Sequence, residues 1–145
     1  MSESYAFLVN AACEARKLSY SPYSGFRVGA ALLCTDGTVI TGTNVENASL
    51  SLSICAERSA VARAVSEGRR EYQAIAICAD GVTPTPPCGA CRQVLLEFAP
   101  DAEVLVGGED GFDGEVIRTT VRDLLPLAFN EFPNGSTSAG KSKMP

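Results

Sequence analysis

The sequence predicts an α/β protein built as a three-layer sandwich, a mixed five-stranded sheet flanked by helices. Three observations lead there. Segments with helical spacing alternate with short apolar runs along most of the chain. One run, residues 74–79 (AIAICA), is apolar throughout, as in a central strand buried on both faces. The last two runs, residues 103–107 and 115–119, are joined only by GEDGFDG. A parallel crossover needs about a dozen residues or more, so these last two strands are expected to be antiparallel.

Each element has its own warrant. In residues 5–18, Phe7, Leu8, Ala11, Ala15 and Leu18 recur at helical spacings, and SYSPYSGF then breaks the pattern with Pro and Gly. Two apolar runs, residues 28–34 and 39–43, flank TDGT, where Asp-Gly is a strong hairpin signal. After a polar loop, CAERSAVARAVSEG reads as a helix with Ala60, Val61, Ala64 and Val65 on one face and Gly68 as its stop. Residues 74–79 follow as the third strand. DGVTPTPP is a loop, and the next helix is expected to start at Pro87 or Cys88 and to carry Cys91, Val94, Leu95 and Phe98 inward. The last two strands come next, then a short helix over residues 121–125. Residues 1–130 are expected to form one domain. Residues 131–145, rich in Gly and Ser, are expected to be a flexible tail.

Composition narrows the function. With 145 residues the chain can bury a sizeable core, roughly 68–70% of its unfolded surface. The net charge of −5, with no Lys/Arg run, argues against a nucleic-acid partner. No stretch of about 20 apolar residues suggests a membrane span. The first residues lack the basic-then-apolar pattern of a secretory signal, so a cytoplasmic location is expected. In a reduced compartment the six cysteines are expected as free thiols, metal ligands or catalytic groups rather than disulfides. Cys13, Cys34 and Cys78 match no motif and read as small buried residues.

The chemistry concentrates in PPCGACRQ. A lone C-x-x-C at a helix start fits a redox pair, half of a metal site, or neither. CAER, residues 55–58, adds a third cysteine and a carboxylate at another helix start. Catalytic zinc uses three protein ligands and an open position, and Cys55, Cys88 and Cys91 make three in a chain without histidine. Two helix N-termini would favour their thiolates. Glu57 is then placed for proton transfer beside the metal, although an acid in a first helical turn is also favoured for its own sake. Arg58, at the same helix start, is within reach of Cys55 and Cys88 and could draw charge from sulfur; without a metal site it reads as a solvated arginine.

C-A-E-R followed by P-C-G-A-C-R-Q resembles the zinc deaminase signature. With PYSGFRVGAALL, TGTNVENAS and DLLPLAF, the likeness is to the small cytidine deaminases of pyrimidine salvage, and it covers residues from about 5 to 130. That resemblance implies a cytidine deaminase-like fold and one Zn²⁺ per chain. It also implies Glu57 as the catalytic acid/base, with Phe26 and Ala56 against the base and Asn44 and Glu46 on the ribose hydroxyls. Arg58 would tune the charge of the thiolates. The partner would be a small nucleoside, and the assembly a homotetramer with shared active sites, Phe129 reaching a neighbour's ligand. Leu50 departs from the family, which often has tyrosine there. Two rivals stand beside this reading: a deaminase of another aminated nucleoside or base, and a non-enzymatic zinc-binding or dithiol redox module.

Overall fold

The computed structural model describes residues 5–133, so most of the predicted tail lies outside the described residues. The elements are α1 (Ala6–Arg16), β1 (Val28–Cys34), β2 (Val39–Thr43), α2 (Ala56–Ser66), β3 (Tyr72–Ala79), α3 (Gly89–Phe98), β4 (Glu103–Gly107) and β5 (Val116–Thr120). The five strands form one mixed sheet in the order β2-β1-β3-β4-β5. Strands β1 and β3 pair antiparallel, β3 and β4 pair parallel across the α3 crossover, and β4 and β5 pair antiparallel as predicted. The expected three-layer sandwich is present, with α1 on one face and α2 and α3 on the other.

Strand alternation sorts the core into these two faces. Ala31, Leu33, Ala74, Ala76, Cys78 and Leu105 pack with Leu8, Val9 and Ala12 of α1. Ala30, Leu32, Ile75, Ile77, Val104 and Val106 pack with the buried residues of α2 and α3. Two glycines fix how close the helices come. A Cβ on Gly29 would lie 2.1 Å from the Ala12 carbonyl oxygen, and one on Gly42 would lie 2.4 Å from the Ala60 amide nitrogen. Only hydrogen fits at either contact, so α1 and α2 rest directly on the sheet backbone.

Several sequence expectations are corrected. The buried side of α1 is Leu8, Val9, Ala12, Ala15 and Arg16, while Phe7 and Leu18 are exposed. The helix ends at Arg16, and the close approach at Gly29 turns the Ala12–Arg16 side inward. In α3 the inward residues are Cys91, Leu95 and Leu96, with Val94 half-buried and Phe98 at the surface. Cys88 is the N-cap of α3 and Gly89 its first helical residue. No helix forms over residues 121–125; isolated turns occupy that stretch, ending before Pro126. Proline clashes with a helical conformation at the residue before it, which leaves room for barely one turn.

The six cysteines do not all stay free. Cys13 of α1 and Cys78 of β3 form a disulfide, with Cα atoms 5.1 Å apart, whereas Cys34 is a free buried thiol as expected. Their separation of 65 residues hid the pair from any spacing argument.

Candidate metal centre

Helices α2 and α3 lie side by side on one face and begin at the same place. Cys55 is the N-cap of α2 and Cys88 the N-cap of α3, both with extended backbone. Cys91 sits in the first turn of α3, its amide donating to Cys88 Sγ at 3.5 Å. The positive ends of two helices therefore converge on three sulfurs, as the sequence predicted. The sulfurs lie within 4.8 Å of one another, with Cys55 and Cys88 3.9 Å apart. Ligands about 2.3 Å from a tetrahedral zinc stand about 3.8 Å from each other, so the cluster fits that metal. Among the described residues it is the one group of metal-ligating side chains.

The three thiols do not share their protons equally. Cys55 is lowered to about 5: it accepts the Cys91 thiol hydrogen, burial opposes this, and Arg58 and Cys88 add further hydrogen bonds. Cys91 is pushed up because it donates to Cys55, lies buried, and faces the charge of Glu57. Arg58 Nη2 reaches Cys55 Sγ at 3.7 Å, and its second sulfur neighbour is Cys91 rather than Cys88.

Glu57 lies in the first turn of α2 and is only 5% exposed. Its Oε2 lies 3.5 Å from Cys91 Sγ and shares with Cys55 the one hydrogen of that thiol. Burial raises its pKa; its own backbone amide opposes this, and the Cys55 charge adds to the rise. A carboxyl held ready to keep a proton, beside a cation site, can pass protons to and from a ligand.

Above the cluster is a cavity of about 310 Å³. Phe26, Asn44, Glu46, Ala56 and Glu57 line it together with Cys55 and Cys88, so seven predicted residues share one space. Phe26 is 38% exposed, half open to the cavity rather than part of the core. Phe129 does not line this cavity: it is 62% exposed, packed edge-on against Phe132 at 5.3 Å, with its carbonyl accepting from Gln93 Nε2 at 2.8 Å.

Asn44 and Glu46 also do work that the sequence did not reveal. Asn44 Oδ1 accepts the Val28 amide at 2.9 Å and the Ser19 hydroxyl, while Nδ2 donates to the Phe26 carbonyl at 2.8 Å. Glu46 accepts the amides of Tyr23 and Ser24, at 2.9 and 3.1 Å, and the Ser24 hydroxyl. Hydrogen bonds from Ser24 hold its carboxyl below the usual range. Sequence reading also missed Ser24, Thr85 and Pro86 in the cavity wall. Thr85 and Pro86 could have been found from their place just before the C-x-x-C; Ser24 looked like an ordinary turn residue.

Comparison with known proteins gives a consistent result. The family described as "Cytidine and deoxycytidylate deaminase zinc-binding region" matches residues 2–107. A cytidine deaminase of Halalkalibacterium halodurans is 53% identical over 84% of this chain and 91% of its own length. The crystal structure of a cytidine deaminase from Burkholderia pseudomallei superposes with a TM-score of 0.81 at 46% identity, covering 89% of this chain and all of that one. A blasticidin-S deaminase of Bacillus cereus is 29% identical over 70% of this chain and 76% of its own length.

Proposed function

The chain belongs to the zinc-binding cytidine and deoxycytidylate deaminase family, and we propose that it converts free cytidine and deoxycytidine to uridine and deoxyuridine with release of ammonia. The observation that carries this reading is a buried carboxyl group, Glu57, beside three clustered sulfurs, with Glu57, Cys55 and Cys88 on the wall of a cavity large enough for a nucleoside.

Cys55, Cys88 and Cys91 would hold one zinc per chain as thiolates, and zinc bound there would supply Lewis acidity toward the attacking water. Glu57 takes the proton that this water gives up and hands it to N3 of the cytosine ring. After attack at C4, Glu57 takes the remaining proton of the added hydroxyl and delivers it to the amine, whose bond to C4 breaks as the C4 carbonyl forms and ammonia leaves. Arg58 offsets the excess charge of three thiolates over Zn²⁺ through its bond to Cys55. Phe26 and Ala56 pack against the base. Asn44 and Glu46 take the ribose hydroxyls with what their protein bonds leave over: the second N–H of Asn44 and the remaining lone pairs of the Glu46 carboxylate.

Residues 1–130 are the catalytic unit in this reading, acting in cytoplasmic pyrimidine salvage. Leu50, Leu52, Leu127 and Phe129 are exposed apolar side chains, which supports a homotetramer in which Phe129 covers a neighbour's ligand. An ultraviolet assay with cytidine, deoxycytidine and cytosine, with and without a chelator, tests the activity. Turnover of both nucleosides, lost on chelation, is expected. The similarity to a blasticidin-S deaminase favours one further substrate arm, an aminated antibiotic nucleoside, and blasticidin S is its probe.

A further inference from the structure

Residues 26–28 carry Phe26 and Val28 into the cavity wall, yet they precede or only begin β1 and are not held by a full strand ladder. Their backbone groups are bonded largely by side chains instead. The Phe26 amide donates to Ser24 Oγ at 2.9 Å, and its carbonyl accepts from Asn44 Nδ2 at 2.8 Å. The Val28 amide donates to Asn44 Oδ1. Between them, Arg27 is gripped at three points by Asp80, the residue that follows β3. The Arg27 amide donates to Asp80 Oδ2 at 2.9 Å, the Asp80 amide donates to the Arg27 carbonyl at 3.0 Å, and Arg27 Nε donates to both carboxylate oxygens at 3.1 and 3.2 Å.

Asp80 is itself anchored from behind. Arg16, almost fully buried at the end of α1, donates to Asp80 Oδ1 at 2.8 Å. Gly29 allows α1 to rest on the sheet at Ala12 and Arg16, so Arg16 is fixed by backbone contact and not by a long flexible reach. Next door, Glu109 stands 3.9 Å from Arg16 and accepts the Gly81 amide at 3.0 Å. Asp80 thus ties the helix on one face to the loop that forms the cavity wall. Ile77 and Ala79 line the cavity, whereas Asp80 bonds away from it, so the carboxylate need not touch a ligand.

We propose that Asp80 is a positioning residue for nucleoside binding, holding residues 26–28 so that Phe26 and Val28 present a preformed wall to the base. This rests on the nucleoside deaminase reading above. Asp80 makes no contact with Glu57 or the sulfurs in its hydrogen bonds, so its loss weakens binding before chemistry.

The experiment compares wild type with Asp80→Asn, Asp80→Glu and a control, Glu103→Gln, which breaks the Arg118–Glu103 ion pair on β4. Cytidine KM and kcat, melting temperature, and amide hydrogen exchange over residues 26–28 are read for each. For D80N the expected result is KM raised on the order of tenfold with kcat little changed, and faster exchange over residues 26–28. D80E restores part of both. E103Q lowers the melting temperature without moving KM or that exchange. Should D80N not fold, Arg27→Gln carries the test, with a smaller rise in KM and faster exchange expected. Unchanged KM and unchanged exchange in the folded variant overturn the proposal, as does a fall in kcat at constant KM. If wild type does not turn over cytidine, the functional reading falls, and the exchange measurement alone decides whether Asp80 holds the segment.

Discussion

Two groups of cysteines lie on opposite faces of one sheet and meet different fates. Cys13 and Cys78 join the flank of α1 to the middle layer and bond to each other. Cys55, Cys88 and Cys91 stay free at the starts of α2 and α3, with Arg58 beside Cys55 and Cys91. Both groups contain sulfurs close enough to interact. What separates them is the backbone around them. Two helix N-termini and an arginine favour thiolates and leave a third sulfur in range, which suits a cation. A helix flank against an apolar strand offers neither feature, and a Cα distance of 5.1 Å suits a direct bond between the two sulfurs.

The largest expected effect falls on the three-sulfur side. Cys88→Ala leaves two ligands, and elemental analysis should find the near-stoichiometric zinc of wild type lost along with turnover. Full zinc content in that variant would erase the distinction between the two groups. Glu57→Gln comes next. It keeps shape and zinc but cannot cycle a proton, so kcat is expected to fall about 10²–10⁴-fold. A result within about threefold of wild type would place the base elsewhere.

Substrate truncation sharpens the picture of the cavity above the cluster. Free cytosine leaves the remaining donors and acceptors of Asn44 and Glu46 without a sugar, so its kcat/KM is expected to be far below that of cytidine. Comparable values would remove the ribose assignment.

Arg58→Gln should act through pH. The Cys55 thiol is held at about 5 first by the Cys91 hydrogen bond and then, against burial, by Arg58. In the metal-free cluster that thiolate persists above this value and is protonated as pH falls through it, and a bound cation competes with the same proton. Without Arg58 the thiol titrates higher. Zinc should therefore leave at a higher pH on acidification, and the basic onset of the pH–rate profile should move upward. Profiles and zinc contents that superpose on wild type would show that Arg58 does not tune the cluster.

The smallest effect on chemistry is expected on the opposite face. Cys13→Ser should lower thermal stability, by about 2–4 kcal/mol for a typical disulfide, while zinc content and kcat stay as in wild type. If zinc fell there too, the two faces would not be independent.

The sequence was readable wherever a signal was local. Asp-Gly between two apolar runs marked the β1–β2 hairpin, and the short GEDGFDG connection marked the antiparallel β4–β5 pair. The Cys55 and Cys88/Cys91 motifs lay at helix starts, so their ligand geometry followed from capping positions. The inward faces of α1 and α3 were less legible, because Phe7, Leu18 and Phe98 fit an apolar stripe but are left at the surface among the described residues.

The sequence by itself determined the α/β class and the five strands and pointed to the candidate zinc ligands and to Glu57 as the candidate acid/base, since each rests on a few neighbouring residues and on a motif they form. Only the tertiary structure decided that Cys13 meets Cys78, that Arg16 and Arg27 converge on Asp80, and that Asn44 and Glu46 brace the cavity wall as well as face it. Those partners are tens of residues apart in the chain. They meet because the sheet order sets β3 beside β1 and because Gly29 lets α1 settle onto the strand beneath it.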